Sequence, residues 1–153
     1  MERTLVLIKC DAIQRGLVGQ VVSRLEGRGL KIAGMKMLQM DKALAGRHYA
    51  IHEDKPFFEG LVEFITSSPI IAVALEGLNA VEVVRRTMGE TDPAKAQPGT
   101  IRGDLALDIG RNLVHGSDSR ETAEKELALF FPEEELVSYD RSVEPWVTED
   151  KAE

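Results

Sequence analysis

Two continuous apolar runs constrain this chain more than any other feature. Thr4 to Lys9 reads TLVLIK, and Pro69 to Glu76 reads PIIAVALE. Neither alternates with polar residues, so a strand built from either must be covered on both faces. Leu30 to Met40 (LKIAGMKMLQM) alternates well enough for a partly exposed strand, and Leu113 to His115 makes a short fourth. Helical patterns separate these strands. Leu17, Val18, Val21, Val22 and Leu25 recur at helical spacing and are closed by Gly27 and Gly29. Asp41 begins a helical stretch through about His52, and Pro56 fits the first turn of a helix reading PFFEGLVEFITSS. Asn79 caps a helix carrying Val81, Val84 and Met88, and Asp118 with Glu121, or else Ser119, starts another that runs through Phe130. This order predicts an α+β fold: a ferredoxin-like α/β sandwich with a four-stranded antiparallel sheet and surrounding helices. At 153 residues a single domain over 1–153 is expected.

One segment breaks the pattern. Gly89 to Arg111 (GETDPAKAQPGTIRGDLALDIGR) carries two prolines and four glycines with little periodicity. Loops of that length in a compact domain are functional or disordered, and the specific charges in this one favour function. The tail from Glu133 is acidic with Trp146 as its large apolar anchor, and residues 149–153 (EDKAE) are expected to be flexible.

Lys and Arg number 19 against 26 Asp and Glu, a net charge of -7. Such a balance argues against a general nucleic-acid or anionic-membrane surface, which needs clustered cations. A phosphate site must then be built locally. The single cysteine, Cys10, excludes an intrachain disulfide and a cysteine-based metal site. No run approaches the roughly 20 apolar residues that span a bilayer, and the first residues lack a signal-peptide pattern. A reducing cytoplasm is the expected location.

The stretch Asn112 to Ser119, NLVHGSDS, ends an apolar run on an imidazole and then turns sharply. His115 reads most simply as a strand-end histidine satisfied by hydrogen bonds. Its neighbours allow more. Gly116 lets another group approach closely, Ser117 supplies a hydroxyl, and Glu126 lies in the following helix. A carboxylate and a hydroxyl can fix which ring nitrogen is free to act, and neutral imidazole is a ready nucleophile. Lys9, Arg85, Thr91 and Arg102 come from separate segments, and each alone reads as a solvated surface group. Together they suit a clamp on a transferring phosphoryl group, where positioning and electrostatics supply most of the catalysis.

Four stretches carry a resemblance: ERTLVLIKCDAIQRGLVG (2–19), HYAIHEDKPFFEGLV (48–62), GETDPAKAQPGTIRGD (89–104) and GRNLVHGSDS (110–119). From its first residues to about Trp146 the chain resembles a nucleoside diphosphate kinase. The resemblance implies transfer of the γ-phosphoryl of a nucleoside triphosphate to a nucleoside diphosphate, ATP and GDP among them, through a phosphohistidine on His115 by ping-pong. It places Glu126 and Ser117 beside the histidine as orienting partners, and Tyr49 near the reacting phosphoryl group. Arg85, Thr91 and Arg102 match positions that hold the β- and γ-phosphates, and Lys9 and Asn112 match positions that reach sugar hydroxyls and phosphates. Phe57 matches the aromatic on which the base stacks, with Ile109 across from it. Read without the resemblance, Phe57 is a core residue beside Phe58.

The chain has no Gly-x-x-x-x-Gly-Lys-Ser/Thr loop, so side chains must hold the phosphates and Mg²⁺ is expected to arrive with the nucleotide. No metal site of protein ligands is expected, and His48 and His52 read as helix-surface histidines. The family's usual Lys-Pro-Asp is Lys9-Cys10-Asp11 here, which frees φ and restores a backbone donor; simple tolerance is the plain reading, and redox sensitivity the sharper one, since a lysine beside a thiol can favour thiolate. The family also implies a homo-oligomer, with a hexamer favoured over a tetramer. A non-catalytic nucleotide-binding regulatory module is the alternative reading, and a protein-histidine phosphodonor using the same site is a second.

Overall fold

A computed structural model describes residues 1–149. Residues 150–153, most of the stretch expected to be flexible, lie outside the described residues.

The apolar runs form β1 (Glu2–Ile8) and β3 (Ile70–Gly77), which pair antiparallel from Glu2 opposite Gly77 to Ile8 opposite Ile71. β2 (Lys31–Leu38) pairs with β3, and β4 (Val114–Gly116) pairs with β1, both antiparallel. The sheet order is β2-β3-β1-β4, the expected four-stranded ferredoxin-like sheet. β1 and β3 are its two inner strands, and apolar groups lie on both their faces. On one face Val6, Ile8, Val73 and Leu75 pack on Val21 and Leu25 of α2 (Val18–Gly27) and on Val84 and Met88 of α5 (Ala80–Met88). On the other, Leu5, Leu7, Ala72 and Ala74 meet Ala45 of α3 (Lys42–His48), Ile65 of α4 (Phe58–Thr66), and Leu127 and Phe130 of α7 (Arg120–Phe130). Burial on both faces is why neither run alternates.

Several local expectations are corrected. After β1 the chain forms α1 (Cys10–Gln14), a single short helix not foreseen from the sequence, whose Cys10, Asp11 and Ala12 are buried. Lys9 is the residue before α1, at the end of an inner strand, and makes no side-chain cap. Pro56 lies in the turn before α4, outside the helix. Asn79 precedes α5 but makes no side-chain cap; it supplies a left-handed backbone with φ 51°, which asparagine tolerates better than most residues. Ser119, not Asp118, caps α7 by accepting from the Thr122 N–H at 3.1 Å.

The segment 89–111 is more ordered than its composition suggests. It holds a 3₁₀ turn at Pro93–Lys95 and α6 (Ile101–Leu105), capped by the Thr100 hydroxyl, with Ile101 fully buried. The tail runs back along β2: the Val137 N–H donates to the Ala33 carbonyl and the Tyr139 hydroxyl to that of Ile32. Trp146, in α8 (Glu144–Val147), is 89% exposed and does not anchor the tail within this chain. No helix among the described residues is long and apolar enough to cross a membrane.

Candidate active site

β4 is three residues long and sets His115 opposite Leu7 of β1. Its approach is unusual. Leu113 has φ 73°, a region costly for a branched side chain. Three ties hold it there. Its side chain is fully buried, its N–H donates to Asp11 Oδ2 at 2.9 Å, and its carbonyl accepts from the Lys9 N–H at 2.9 Å. Gly116 does admit a close neighbour, but from within the protein: a Cβ there would stand 2.6 Å from Met88 Cε of α5.

His115 Nε2 lies 2.7 Å from Glu126 Oε2, and the two side chains are 32% and 12% exposed. Burial pushes the Glu126 carboxyl up, but the His115 hydrogen bond and charge, the Ser117 hydroxyl and His48 outweigh it and hold it below its usual value. Ser117 is buried, and its Oγ has no partner of good hydrogen-bond geometry. Tyr49 packs beside this group through His48, with ring centroids 4.6 Å apart. Burial, then the Cys10 and Glu126 charges, push its phenol up to about 12, so Tyr49 is a donor at neutral pH.

A second cluster joins Lys9, Asn112, Thr91 and Arg102. Lys9 Nζ donates to Asn112 Oδ1, and Asn112 Nδ2 donates to the Thr91 carbonyl at 3.0 Å. Burial lowers Lys9 to about 8, opposed by Asp11 and reinforced by Arg102 and Arg111. Arg102 is 6% exposed and binds backbone with three nitrogens: Nε to the Asn112 carbonyl, Nη1 to Gly89 and Nη2 to Val114, at 3.2, 2.9 and 2.7 Å. These bonds pin the 89–111 segment to β4, and one N–H on each terminal nitrogen remains for a ligand. Burial, then Arg85, lower its guanidinium to about 10, which leaves it cationic at neutral pH.

Of the remaining expected residues, Arg85 is near enough for its charge to act on Arg102. Arg85 and Thr91 line a cleft of about 700 Å³ whose lining does not include His115. Phe57, at the start of α4, is 51% exposed, and Ile109 is 58% exposed. Phe57 is therefore no core residue; its ring lies 5.4 Å from that of His52.

Three participants were not singled out by sequence reasoning. Asp11 follows Lys9 and braces Leu113. Arg111 lies over the Phe64 ring at 4.3 Å and adds charge near Lys9; its place beside Asn112 in GRNLVHG was the available signal. His48 is the largest correction. Expected on a helix surface, its side chain is 2% exposed, with Nδ1 3.4 Å from Glu126 Oε2 and its ring 4.8 Å from that of His115. His48, His115 and Glu126 are the one trio of metal-ligating side chains among the described residues. Two imidazoles suit Mg²⁺ poorly, since it prefers oxygen ligands, and the His115–Glu126 contact already occupies the trio. Cys10 is 2% exposed with Sγ near the carbonyls of Phe64, Ile65 and Ser68. Burial pushes its thiol up, so Lys9 does not favour a thiolate there.

Comparison with known proteins agrees with this fold. A sequence model described as nucleoside diphosphate kinase matches residues 2–136. A protein of that name from Thermomicrobium roseum is 58% identical over 147 residues, 96% of this chain and 99% of the relative. One from Archaeoglobus fulgidus is 54% identical over 151 residues, 99% of this chain and 100% of the relative. The solved structure of a halophilic nucleoside diphosphate kinase from Halobacterium salinarum in complex with CDP superposes with a TM-score of 0.94 at 54% identity, covering 97% of this chain and 99% of that one. With matches that run almost end to end in both sequence and fold, this chain belongs to the nucleoside diphosphate kinase family of phosphotransferases.

Proposed function

We propose that the chain exchanges phosphoryl groups between nucleoside triphosphates and diphosphates, ATP and GDP among them, by ping-pong through His115. The observation that carries this reading is the 2.7 Å contact of His115 Nε2 with Glu126 Oε2. With Nε2 committed as the protonated nitrogen, Nδ1 keeps its lone pair for attack.

The Nδ1 lone pair attacks the γ-phosphorus, the bond from phosphorus to the β,γ-bridging oxygen breaks, and the diphosphate leaves with that electron pair. The ring becomes cationic as the N–P bond forms, and the Glu126 carboxylate stabilises it through the Nε2 proton. In the second half-reaction a terminal oxygen of the acceptor diphosphate attacks phosphorus, and the N–P electron pair returns to Nδ1. Lys9, Arg85 and Arg102 supply positive charge to the phosphates, with Thr91 and Asn112 as polar partners. Tyr49 offers a phenolic donor near the reacting group. Phe57 stacks on the base with Ile109 opposite, and stacking tolerates every base because each has a π-face. Mg²⁺, carried in with the polyphosphate, neutralises part of its charge.

The exposed Leu107 and Trp146 support a homo-oligomer, with a hexamer favoured over a tetramer; a solution mass of four subunits independent of concentration refutes the hexamer. The use of a single, buried cysteine, Cys10, is in keeping with a cytoplasmic location, and the acidic balance gives no support to a nucleic-acid partner.

The deciding experiment incubates the protein with γ-labelled ATP and Mg²⁺ and isolates it. Label that is acid-labile and base-stable, absent in His115→Gln and chased onto added GDP upholds the proposal. Wild-type protein that binds nucleotide but takes no label is a regulatory nucleotide-binding module instead.

A further inference from the structure

α3 ends on His48, and no role assigned so far uses it. Its imidazole is held on several sides. The Tyr49 ring lies 4.6 Å away, the Phe130 ring 5.4 Å at 78°, and the His115 ring 4.8 Å at 88°. A side chain only 2% exposed and wedged among three rings has no room to swing to solvent. Nδ1 of His48 is nonetheless a buried polar atom with no hydrogen-bond partner, a costly state for which native structures usually have a reason. It stands 3.4 Å from Glu126 Oε2, the same oxygen that meets His115 Nε2 at 2.7 Å. The other carboxylate oxygen, Oε1, is also buried without a partner. The Ser117 hydroxyl, also buried and unpartnered, acts on this carboxylate too, and His48 Nδ1 is the further unused donor position beside it. The separation is within hydrogen-bonding reach, and what is missing is alignment: a small reorientation of the Glu126 carboxylate toward Nδ1 completes the bond.

We propose that His48 is a positioning residue for phosphoryl transfer: with its one proton on Nδ1, it steadies the shared Glu126 oxygen as a carboxylate aligned on His115 Nε2. The proposal rests on the phosphohistidine reading and adds a residue to it. A neutral donor suits this place better than a cation. As His115 Nδ1 takes the phosphoryl group its ring gains positive charge, and a second cation 4.8 Å away would oppose that change, whereas a neutral N–H supports the carboxylate without opposing it. The surroundings keep His48 neutral: burial, with His115, His52 and Lys9 acting in the same direction against Glu126, lowers it to about 4.

His48→Phe keeps a ring and removes the donor. His48→Asn loses the ring but offers an amide N–H near the Nδ1 position. Single-turnover phosphorylation by saturating ATP, nucleotide affinity and the ¹³C titration of the Glu126 carboxyl are measured in each. The expected result is a roughly 10–100-fold slower phosphorylation in His48→Phe, the scale of a lost hydrogen bond to a charged group. Nucleotide affinity is unchanged and the Glu126 titration moves up. His48→Asn stays within about threefold of wild type, since it restores that bond. Should His48→Phe not fold, His48→Gln, with its N–H at the Nε2 position, gives the same contrast. Wild-type rates in the donor-less variant with an unmoved Glu126 titration overturn the proposal, as does equal loss in both variants. If the wild type itself takes no label, the phosphohistidine reading fails, and the Glu126 titration in unreacted protein still decides the His48 contact.

Discussion

The Asp11 carboxylate accepts the amide of Leu113 at 2.9 Å, tying the first turn after β1 to the residue two before the candidate nucleophile. That bond braces a left-handed leucine, and Asp11 also raises the Lys9 pKa against burial. Asp11→Ala leaves the buried N–H unpaired and is expected to cost about 1–3 kcal/mol of stability in chemical denaturation. Asp11→Asn retains an acceptor and loses less.

Arg102 spends three nitrogens on the carbonyls of Gly89, Asn112 and Val114. An ammonium cannot span that set. Arg102→Lys is expected to lose about 1–3 kcal/mol and to speed hydrogen exchange across 89–112. Nucleotide affinity falls with it, because the pinned loop carries Thr91 to the site.

Lys9, lowered to about 8, sheds its charge across the range where an ordinary lysine keeps it. A bound polyphosphate favours the charged form and raises that pKa. Nucleotide binding near pH 8 should therefore take up a proton, visible by calorimetry in buffers of different ionisation enthalpy, and KM should climb between pH 7 and 9. Lys9→Arg abolishes the uptake.

Cys10 is buried and its thiol is pushed up by burial. Native protein is expected to react with a thiol reagent only on unfolding, and activity to survive mild peroxide. The residue occupies the first position of α1, where a missing N–H is tolerated, so Cys10→Pro should fold and keep its phosphotransfer rate.

His48 also carries an acid-stability signature. Its folded pKa of about 4 lies below the ordinary 6.5, so as pH falls from 6.5 the unfolded chain takes up a proton that the folded chain refuses. Stability should drop between pH 6.5 and 4 by roughly 3 kcal/mol at most. His48→Asn should flatten that part of the pH–stability curve, measured by urea unfolding.

What the sequence determined by itself is the architecture and the outline of the site. A strand covered on both faces must be apolar throughout, so TLVLIK and PIIAVALE announced the two inner strands. His115 and Glu126 were legible together because a strand, a tight turn and a capped helix join them over a short span. Lys9 and Arg102 were legible only as members of a set, since each alone reads as a surface group, and Asn112 only through resemblance. The tertiary structure alone decided the rest. α1 and α6 are too short to show a period, and they stand because Ala12 and Ile101 are buried. Arg102 became a tie on the backbone, Gly116 a seat for Met88, and His48 a buried neighbour of the His115–Glu126 pair. Periodicity encodes which face of an element is buried, but a polar side chain at the end of a helix takes its partners, and with them its charge, from whatever packs against it.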